Sequence, residues 1–243
     1  MIKNLHQLYY KDYFKGVDFE NKDSRESEEI INGRNNELTK NNLLFVIPTE
    51  LPFIEPLTLE VLYPGLVTGI GINHEASIEG EFKLGLHFDW TYGMPVIYGS
   101  SVKGVLRSFF EEFYMPKDGQ PDKKDAFNDI FEGVNKSIYD RDIFFDAVIV
   151  KADRHGRILC SDSITPHTKG PLSNPNPISF MKIAPGCRIE FRFKLVDTRI
   201  EKHGKVVELK AQDKYKLFKA ILTTVGIGAK TNVGYGQLKS VKS

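Results

Sequence analysis

The 243-residue sequence predicts an α/β (α+β) fold, with helices on one face of an antiparallel sheet. Two segments carry the apolar stripe of a core-facing helix, and segments with the pattern of a half-buried strand stand before and after each of them. Hydrophobic residues make up 41% of the chain, which is enough for a substantial core at this length. The fold class follows from these observations.

The clearest element is a helix from Ser100 to Tyr114. Its apolar residues recur at intervals of three and four and form one stripe, made of Val102, Val105, Leu106, Phe109, Phe110 and Phe113. Ser100 or Ser101 is a natural N-cap. Lys103 and Arg107 lie four residues apart on the opposite side, so they are neighbours in space.

A second helix is expected from Asp213 to about Val225, with Lys214 and the other lysines mainly outward. The predicted strands are Leu57–Tyr63, Phe144–Val150, Arg157–Ser163, Ile189–Leu195 and Val233–Val241. A turn-like linker joins the second and third of them, which predicts a β-hairpin. In chain order the elements form a ferredoxin-like pattern, elaborated by insertions near 115–140, with a helical patch around Phe127 and Phe131, and near 165–177.

The first 45 residues differ from the rest. A short amphipathic helix is expected near Leu5 and Tyr13, and the stretch from Glu20 to Asn42 is polar and rich in asparagine. Few of its side chains can bury apolar area. We therefore expect residues 1–45 to form a partly helical, flexible extension and residues 46–243 to form one domain.

Charge and cysteine content narrow the class of protein. The net charge is only +1, but residues 186–243 hold thirteen Lys or Arg against five Asp or Glu. This asymmetry favours a polyanionic partner, although a solvated lysine-rich face has the same composition. Cys160 and Cys187 lie in strand-like runs, as buried free thiols of a reducing compartment do. No signal-peptide core or long apolar run is found, which predicts a soluble cytoplasmic protein without a membrane partner.

The stretch from residue 226 to 236, called the glycine segment below, is the strongest candidate for an anion site. It reads Gly226, Ile227, Gly228, Ala229, Lys230, Thr231, Asn232, Val233, Gly234, Tyr235 and Gly236. Its place after a helix and before a strand excludes the nucleotide-binding loops that join a strand to a helix. One interpretation is a tight turn with conformational glycines. The other is a phosphate site, where Lys230, Thr231 and Asn232 contact phosphate and ribose and Tyr235 stacks on a base.

A second candidate lies at the start of the first helix, from Gly99 to Gly104. Helix N-termini present unpaired N–H groups and a positive dipole end, which favour anions. Lys103 places a cation against that dipole, and a bound phosphate would offset the repulsion. A well-capped core helix is the alternative.

Catalytic candidates are weaker. Asp146 and Asp162 could face each other across strands as metal ligands of a nuclease, with Asp153 nearby, but structural or exposed aspartates have the same pattern. His167, with Lys169 in the proline-rich loop from Thr165 to Pro177, could contact RNA, act as a general base or be a plain loop residue. No His or Cys pair has metal-ligand spacing, so no metal or cofactor is expected.

Two of these segments resemble the RAMP superfamily of CRISPR RNA-binding proteins. Tyr98 to Arg107 resembles its helix-opening motif, with Tyr98 where proline is usual, and the glycine segment resembles its C-terminal glycine-rich loop. More specifically, the chain is similar to the family of sixth subunits of the Cmr complex, the type III-B CRISPR effector. The similar segments are Gly69–Gly71 with His74, Thr91–Pro95, Phe145–Ala147, Asp162–His167, Asn176–Ile178 and Gly226–Thr231.

The resemblance covers about residues 57–238 with gaps and implies a ferredoxin-like (RRM-like) RAMP fold in a non-catalytic subunit. Such a subunit binds the guide RNA backbone near its 3′ end and caps the filament. Its partners are guide RNA, target RNA and other Cmr subunits, including the backbone RAMP subunit that carries the ribonuclease activity. The expected RNA-binding residues are Ser100, Ser101, Lys103, Arg107, His167, Lys169, Gly226, Gly228, Lys230, Thr231, Asn232 and Tyr235.

Two alternatives stay open. One is an endoribonuclease of the same superfamily, with His167 or His74 as base or with a metal held by Asp146 and Asp162. The other is a nucleotide-binding enzyme of a different kind.

Overall fold

The fold is taken from a computed structural model that describes residues 4–40, 55–69, 78–82, 85–133, 136–165, 177–202 and 204–241. The helices in these ranges are α1 (Leu5–Gln7), α2 (Arg25–Lys40), α3 (Gly99–Phe113), α4 (Lys123–Phe127) and α5 (Ala211–Val225). Short π or 3-10 turns lie at Leu8–Asp12, Asn128–Glu132, Ile138–Asp140 and Thr231–Val233. The strands are β1 (Glu55–Val61), β2 (Val96–Ile97), β3 (Ile143–Phe144), β4 (Ala147–Lys151), β5 (Leu159–Ile164), β6 (Ile178–Ile183), β7 (Arg188–Lys194), β8 (Thr198–Lys202), β9 (Lys205–Leu209) and β10 (Leu238–Ser240).

The main sheet has the strand order β10–β1–β7–β4–β2, and all of its pairs are antiparallel. The short strand β3 pairs with β7 ahead of β4. In chain order, β2 and then α3 lie between β1 and the β3–β4 segment, and the β8–β9 hairpin and then α5 lie between β7 and β10. Counted along the chain, β1, β4, β7 and β10 are the first to fourth strands of the ferredoxin-like core. Their order across the sheet is fourth, first, third, second, as in a ferredoxin-like fold, which confirms the predicted class.

Alternation along the strands explains how the core forms. In β1, Leu57 and Leu59 are buried and pair with Phe191 and Ile189 of β7, so all four side chains share one face. Helices α3 and α5 pack beside each other. Their buried stripes are Val102, Leu106 and Phe110 in α3 and Phe218, Ile221 and Leu222 in α5. Each such side chain stabilises the fold by about 1.5–3 kcal/mol when fully buried.

The predicted outward position of Lys214 is wrong. Its side chain is fully buried, and its Nζ donates hydrogen bonds to Asp142 Oδ2 at 2.6 Å and to the Val196 carbonyl at 2.7 Å. Lys214 lies one helical turn before Phe218, on the stripe that faces the core. Helix α5 also begins before Asp213, because Asp197 accepts the N–H of Ala211.

The predicted hairpin of the second and third strands is also wrong. Strand β4 has β7 on one edge and β2 on the other, so no edge remains for β5. Strand β5 pairs instead with β6 in a separate two-stranded sheet. The linker between β4 and β5 does turn tightly, since Asp153 N–H donates to the Arg157 carbonyl, but the ladder does not continue.

Within the N-terminal extension, Arg25–Lys40 form helix α2. Ile31 and Leu38, seven residues apart on one face, are buried in the core. Asn35 accepts a hydrogen bond from the Tyr13 hydroxyl and donates to the Gly80 carbonyl at 2.8 Å. Through Ile31 and Leu38, α2 joins the main hydrophobic core.

Other differences are local. The last strand begins at Leu238 rather than Val233, because a 3-10 turn and two glycines with positive φ precede it. The β8–β9 hairpin was missed, although alternating segments flank its His-Gly turn signal. The helical patch around Phe127 and Phe131 is confirmed. Both cysteines are free, Cys187 buried and Cys160 half-buried. No helix in the described ranges is both long and apolar enough to cross a membrane.

Candidate nucleic-acid interface

The glycine segment leaves α5 and folds back on the end of β1. The Gly236 N–H donates to the Gly65 carbonyl and the Ala229 N–H to the Val67 carbonyl, each at 2.8 Å. The Ile227 N–H donates to the Gly236 carbonyl at 3.0 Å. These amides are satisfied within the chain, so they are not free to bind a phosphate.

Gly228 and Gly236 are needed for close backbone approach. Their φ angles are +97° and +74°. A Cβ on Gly228 would lie 2.2 Å from the Val67 carbonyl oxygen, and one on Gly236 would lie 1.9 Å from the Ile227 carbonyl oxygen. Gly226 is constrained in the same way by the Gly236 carbonyl oxygen, at 2.5 Å. The flanks of the segment therefore follow the tight-turn interpretation.

The centre of the segment has a different character. Lys230 has φ 60° and ψ 31°, and it is the one non-glycine residue with positive φ that the described residues contain. This left-handed conformation costs an L-residue about 1–2 kcal/mol. The Lys230 ammonium has no carboxylate within ion-pair distance in the part of the chain that is described. It precedes the turn of Thr231–Val233, where Asn232 is exposed.

The expectation that Tyr235 stacks on a base is wrong. The residue is only 8% exposed, and its hydroxyl donates to Asp162 Oδ2 at 2.8 Å. Its ring packs edge-on against Phe180, and Lys182 Nζ lies 5.5 Å from the ring centre. Burial, together with the hydrogen bond to Asp162, raises the pKa of Tyr235 to about 12. Tyr235 therefore anchors the glycine segment to the β5–β6 sheet.

The start of α3 already holds an internal anion. The Gly99 N–H donates to Asp146 Oδ1 at 2.7 Å. A Cβ on Gly99 would lie 2.2 Å from the Phe144 carbonyl oxygen, so this glycine is required for close contact with β3. The N-cap residue is Tyr98, not a serine, and its side chain makes no capping bond. The predicted phosphate position at the first helical amide is thus occupied by a carboxylate.

The side chains around the start of α3 differ in how freely they could contact a ligand. Ser100 is exposed and Ser101 and Lys103 are half-buried. Ser100 and Lys103 line a shallow cleft of about 290 Å³, and Lys103 has no ion-pair partner among the described residues. Arg107, by contrast, pairs with Glu132 at 2.7 Å and lies over the Phe127 ring.

The two candidate segments do not form one site. Gly99 contacts Phe144 of β3. Phe144 pairs with Phe193 of β7, and Phe193 pairs on its other side with Glu55, the first residue of β1. The start of α3 therefore lies level with the start of β1. The glycine segment adjoins Gly65 and Val67, beyond the other end of β1. Seven residues of extended chain separate these levels by roughly 20 Å. A single phosphate cannot touch both segments.

The candidate catalytic carboxylates are also apart. Each is bound to a different partner. Asp146 accepts a hydrogen bond from the Gly99 N–H, Asp153 forms an ion pair with Arg157 at 3.0 Å, and Asp162 forms an ion pair with Lys182. Burial acts to raise the pKa of Asp162, but hydrogen bonds from Lys182 and Tyr235 outweigh it and hold that pKa below its ordinary value. Among the described residues, no three His, Cys, Asp or Glu side chains are grouped to hold a metal.

Several predicted residues lie outside the described ranges. They are Ile70, Gly71, His74, His167, Lys169 and Asn176.

Sequence reasoning missed a basic groove at the same end of the sheet as the glycine segment. It has a volume of about 540 Å³, and its cationic lining residues are Lys151, Arg154, Arg157, Arg188 and Lys239. The sequence did carry a signal for this groove, because Lys151, Arg154 and Arg157 all lie in the seven-residue stretch 151–157 that begins at the end of β4.

Comparisons with known proteins agree with this fold. The chain is 31% identical over 160 residues to the CRISPR system CMR subunit Cmr6 of Saccharolobus solfataricus, across 63% of this chain and 48% of that protein. It thus spans about half the length of that relative. It is similar in fold to a chain of the cryo-EM structure of the Type III-B Cmr-beta bound to cognate target RNA, with a TM-score of 0.59 and 21% identity over 93% of this chain and 77% of the other. A sequence model of the RAMP superfamily matches residues 58–239, so the chain belongs to the RAMP superfamily.

Proposed function

We propose that this chain is a non-catalytic RNA-binding subunit of a type III-B CRISPR (Cmr) RNA-guided complex. It would hold the guide RNA backbone near its 3′ end and cap the filament of RAMP subunits, with guide RNA, target RNA and other Cmr subunits as partners. Support for the complex comes from the family and from the relatives described above. Support for the contact with RNA comes from the centre of the glycine segment.

Lys230 is the observation that carries the proposal. A lysine stands where the backbone conformation favours glycine, and the chain accepts the resulting strain. Its ammonium has no carboxylate partner in the described ranges, so it is available to a phosphate. Thr231 and the exposed Asn232 follow it and can donate hydrogen bonds to phosphate or ribose.

The start of α3 would supply a second contact about 20 Å away. Lys103 is a cation of the cleft at that helix start, and Ser100 is an exposed hydrogen-bond donor there. An extended RNA strand can span this distance, whereas a mononucleotide cannot. Arg107 would join this contact only after leaving Glu132.

The test measures guide RNA binding by fluorescence anisotropy over a salt series. Lys230→Ala should weaken binding without sequence preference and flatten the slope of log K against log salt by about 0.7, the value for one phosphate on single-stranded RNA. Lys216→Ala, at an exposed site on α5, is the matched control and should leave the slope unchanged. An unchanged affinity and slope in Lys230→Ala would show that the glycine segment does not bind phosphate.

Catalysis is tested separately. The purified protein is incubated with guide precursor and with target RNA, with and without Mg²⁺, and we expect no turnover. Cleavage that disappears in His167→Ala or Asp146→Ala would replace the proposal with an endoribonuclease. Co-purification of a short guide RNA and other Cmr subunits from the native host tests the assembly itself.

A further inference from the structure

We infer that the basic groove beside the end of β1 is a second binding surface for single-stranded RNA, with Tyr63 as its stacking platform. The groove is defined by Tyr63, Lys151, Arg154, Arg157, Arg188 and Lys239. The glycine segment contributes no side chain to it. The inference therefore stands on its own observations, whether or not Lys230 binds guide RNA.

The floor of the groove is a row of charged side chains across four strands. Lys239 pairs in register with Glu60, Glu60 with Arg188, and Arg188 with Lys151. The neighbouring residues Leu59 and Ile189 face the helices, so this row lies on the opposite face of the sheet. Four adjacent strands make the row about 14 Å wide, which is long enough to follow several phosphates of one strand.

The charges in this row are not balanced. Glu60 is paired with Lys239 at 2.8 Å. Lys151 and Arg188 have no carboxylate within ion-pair distance among the described residues, and the same holds for Arg154 on the rim. A cluster of unpaired cations in a concave surface attracts a polyanion and concentrates it locally.

The wall of the groove is held in shape by a buried carboxylate. Asp153 is 8% exposed and accepts the backbone N–H groups of His155 and Arg157, at 2.8 Å and 2.7 Å. It also accepts the Arg157 guanidinium at 3.0 Å and 3.1 Å. The loop that carries Arg154 is therefore ordered before any ligand arrives, which reduces the entropic cost of binding.

Tyr63 gives the groove a preference for exposed bases. Its side chain is in the turn after β1 and is 84% exposed, the most exposed of the large hydrophobic side chains that the structure describes. An aromatic ring beside a cationic groove is the arrangement that binds single strands, because every base can stack on it. Duplex RNA has its bases stacked internally and offers no free face to Tyr63.

The experiment measures binding of a labelled oligouridine strand to the full-length protein by anisotropy. Lys151→Ala with Arg154→Ala should lower the salt slope by about 1.4, the value for two phosphate contacts. Tyr63→Ala should weaken binding about tenfold, while Tyr63→Phe should remain within about twofold of the parent. Lys117→Ala with Lys124→Ala removes two exposed cations at the other end of the domain and serves as the matched control.

Three results would overturn the inference. One is an unchanged affinity and slope in the groove variants when their circular dichroism melts match the parent. Another is an equal loss of duplex and single-strand binding in Tyr63→Ala. The third is loss of binding to an acidic peptide with no change toward RNA, which would assign the groove to a protein partner. If Lys230→Ala has no effect while the groove variants do, the proposed guide contact fails and this inference holds.

Discussion

Lys214 Nζ lies 2.6 Å from Asp142 Oδ2, and the two side chains are 0% and 1% exposed. Burial lowers the pKa of Lys214, although the nearby Asp142 opposes this effect. Asp142 also accepts the backbone N–H of Val196 at 2.8 Å, so the pair connects α5 to the segment after β7. A buried ion pair of this kind adds little net stability, but it is costly to break.

Lys214→Met should therefore lower the free energy of unfolding by about 3–5 kcal/mol, because it leaves the Asp142 carboxylate buried without its cation. Lys214→Met with Asp142→Asn should recover most of this loss, since the amide is neutral and can still accept from Val196. Urea unfolding followed by circular dichroism measures both. Equal instability of the single and double variants would contradict the ion-pair explanation.

Gly228→Ala and Gly236→Ala should each destabilise the protein by more than about 1 kcal/mol, because both positions combine positive φ with a backbone oxygen in the place of the new Cβ. Gly104→Ala is the control. It lies inside α3 with no atom near its Cβ position, so alanine there should stabilise by about 0.5–1 kcal/mol. Thermal melts of the three variants show whether each substitution lowers or raises the melting temperature. A neutral Gly236→Ala would mean that the segment relaxes freely.

Lys230→Gly should raise stability by up to about 1 kcal/mol, since glycine adopts the left-handed conformation without strain. It should lose guide RNA affinity to the same extent as Lys230→Ala. Opposite changes in unfolding free energy and RNA affinity are the signature of a residue retained for binding. A loss of both quantities would instead indicate a structural role.

Tyr235→Phe should cost about 1.5–3 kcal/mol near neutral pH, the usual contribution of a hydrogen bond to a charged group. The folded-state pKa of Tyr235, about 12, is above its ordinary value of 10.0. Its contribution is thus fully present below pH 10.0 and is lost as the pH rises to about 12. The stability difference between parent and variant should shrink over this range in urea titrations. A constant difference would show that the hydroxyl does not ionise there.

The helices could be predicted because their signals are local. The stripe from Val102 to Phe113 specifies α3 to within about one residue, and the stripe ending at Val225 specifies most of α5. The alternation of apolar and polar residues, which is also a local signal, predicted β1 and β7. Together with the predicted strands Phe144–Val150 and Val233–Val241, these elements gave the ferredoxin-like succession of strands and helices along the chain.

Pairing and burial could not be predicted, because they depend on residues far apart in the chain. Strand β5 leaves the main sheet because both edges of β4 are filled, by β7 and by β2. Lys214 can be buried because its ammonium is paired with the Asp142 carboxylate, which lies 72 residues away in the chain.

The candidate site divides in the same way. The sequence by itself determined that glycines surround Lys230 and that small residues open α3, since these are properties of adjacent residues. Only the tertiary structure decided that the two segments lie at opposite ends of β1, that Tyr235 is buried against Asp162, and that Lys151 and Arg188 meet in one groove. The physical reason is that distances across a sheet are set by strand register, which no local pattern encodes.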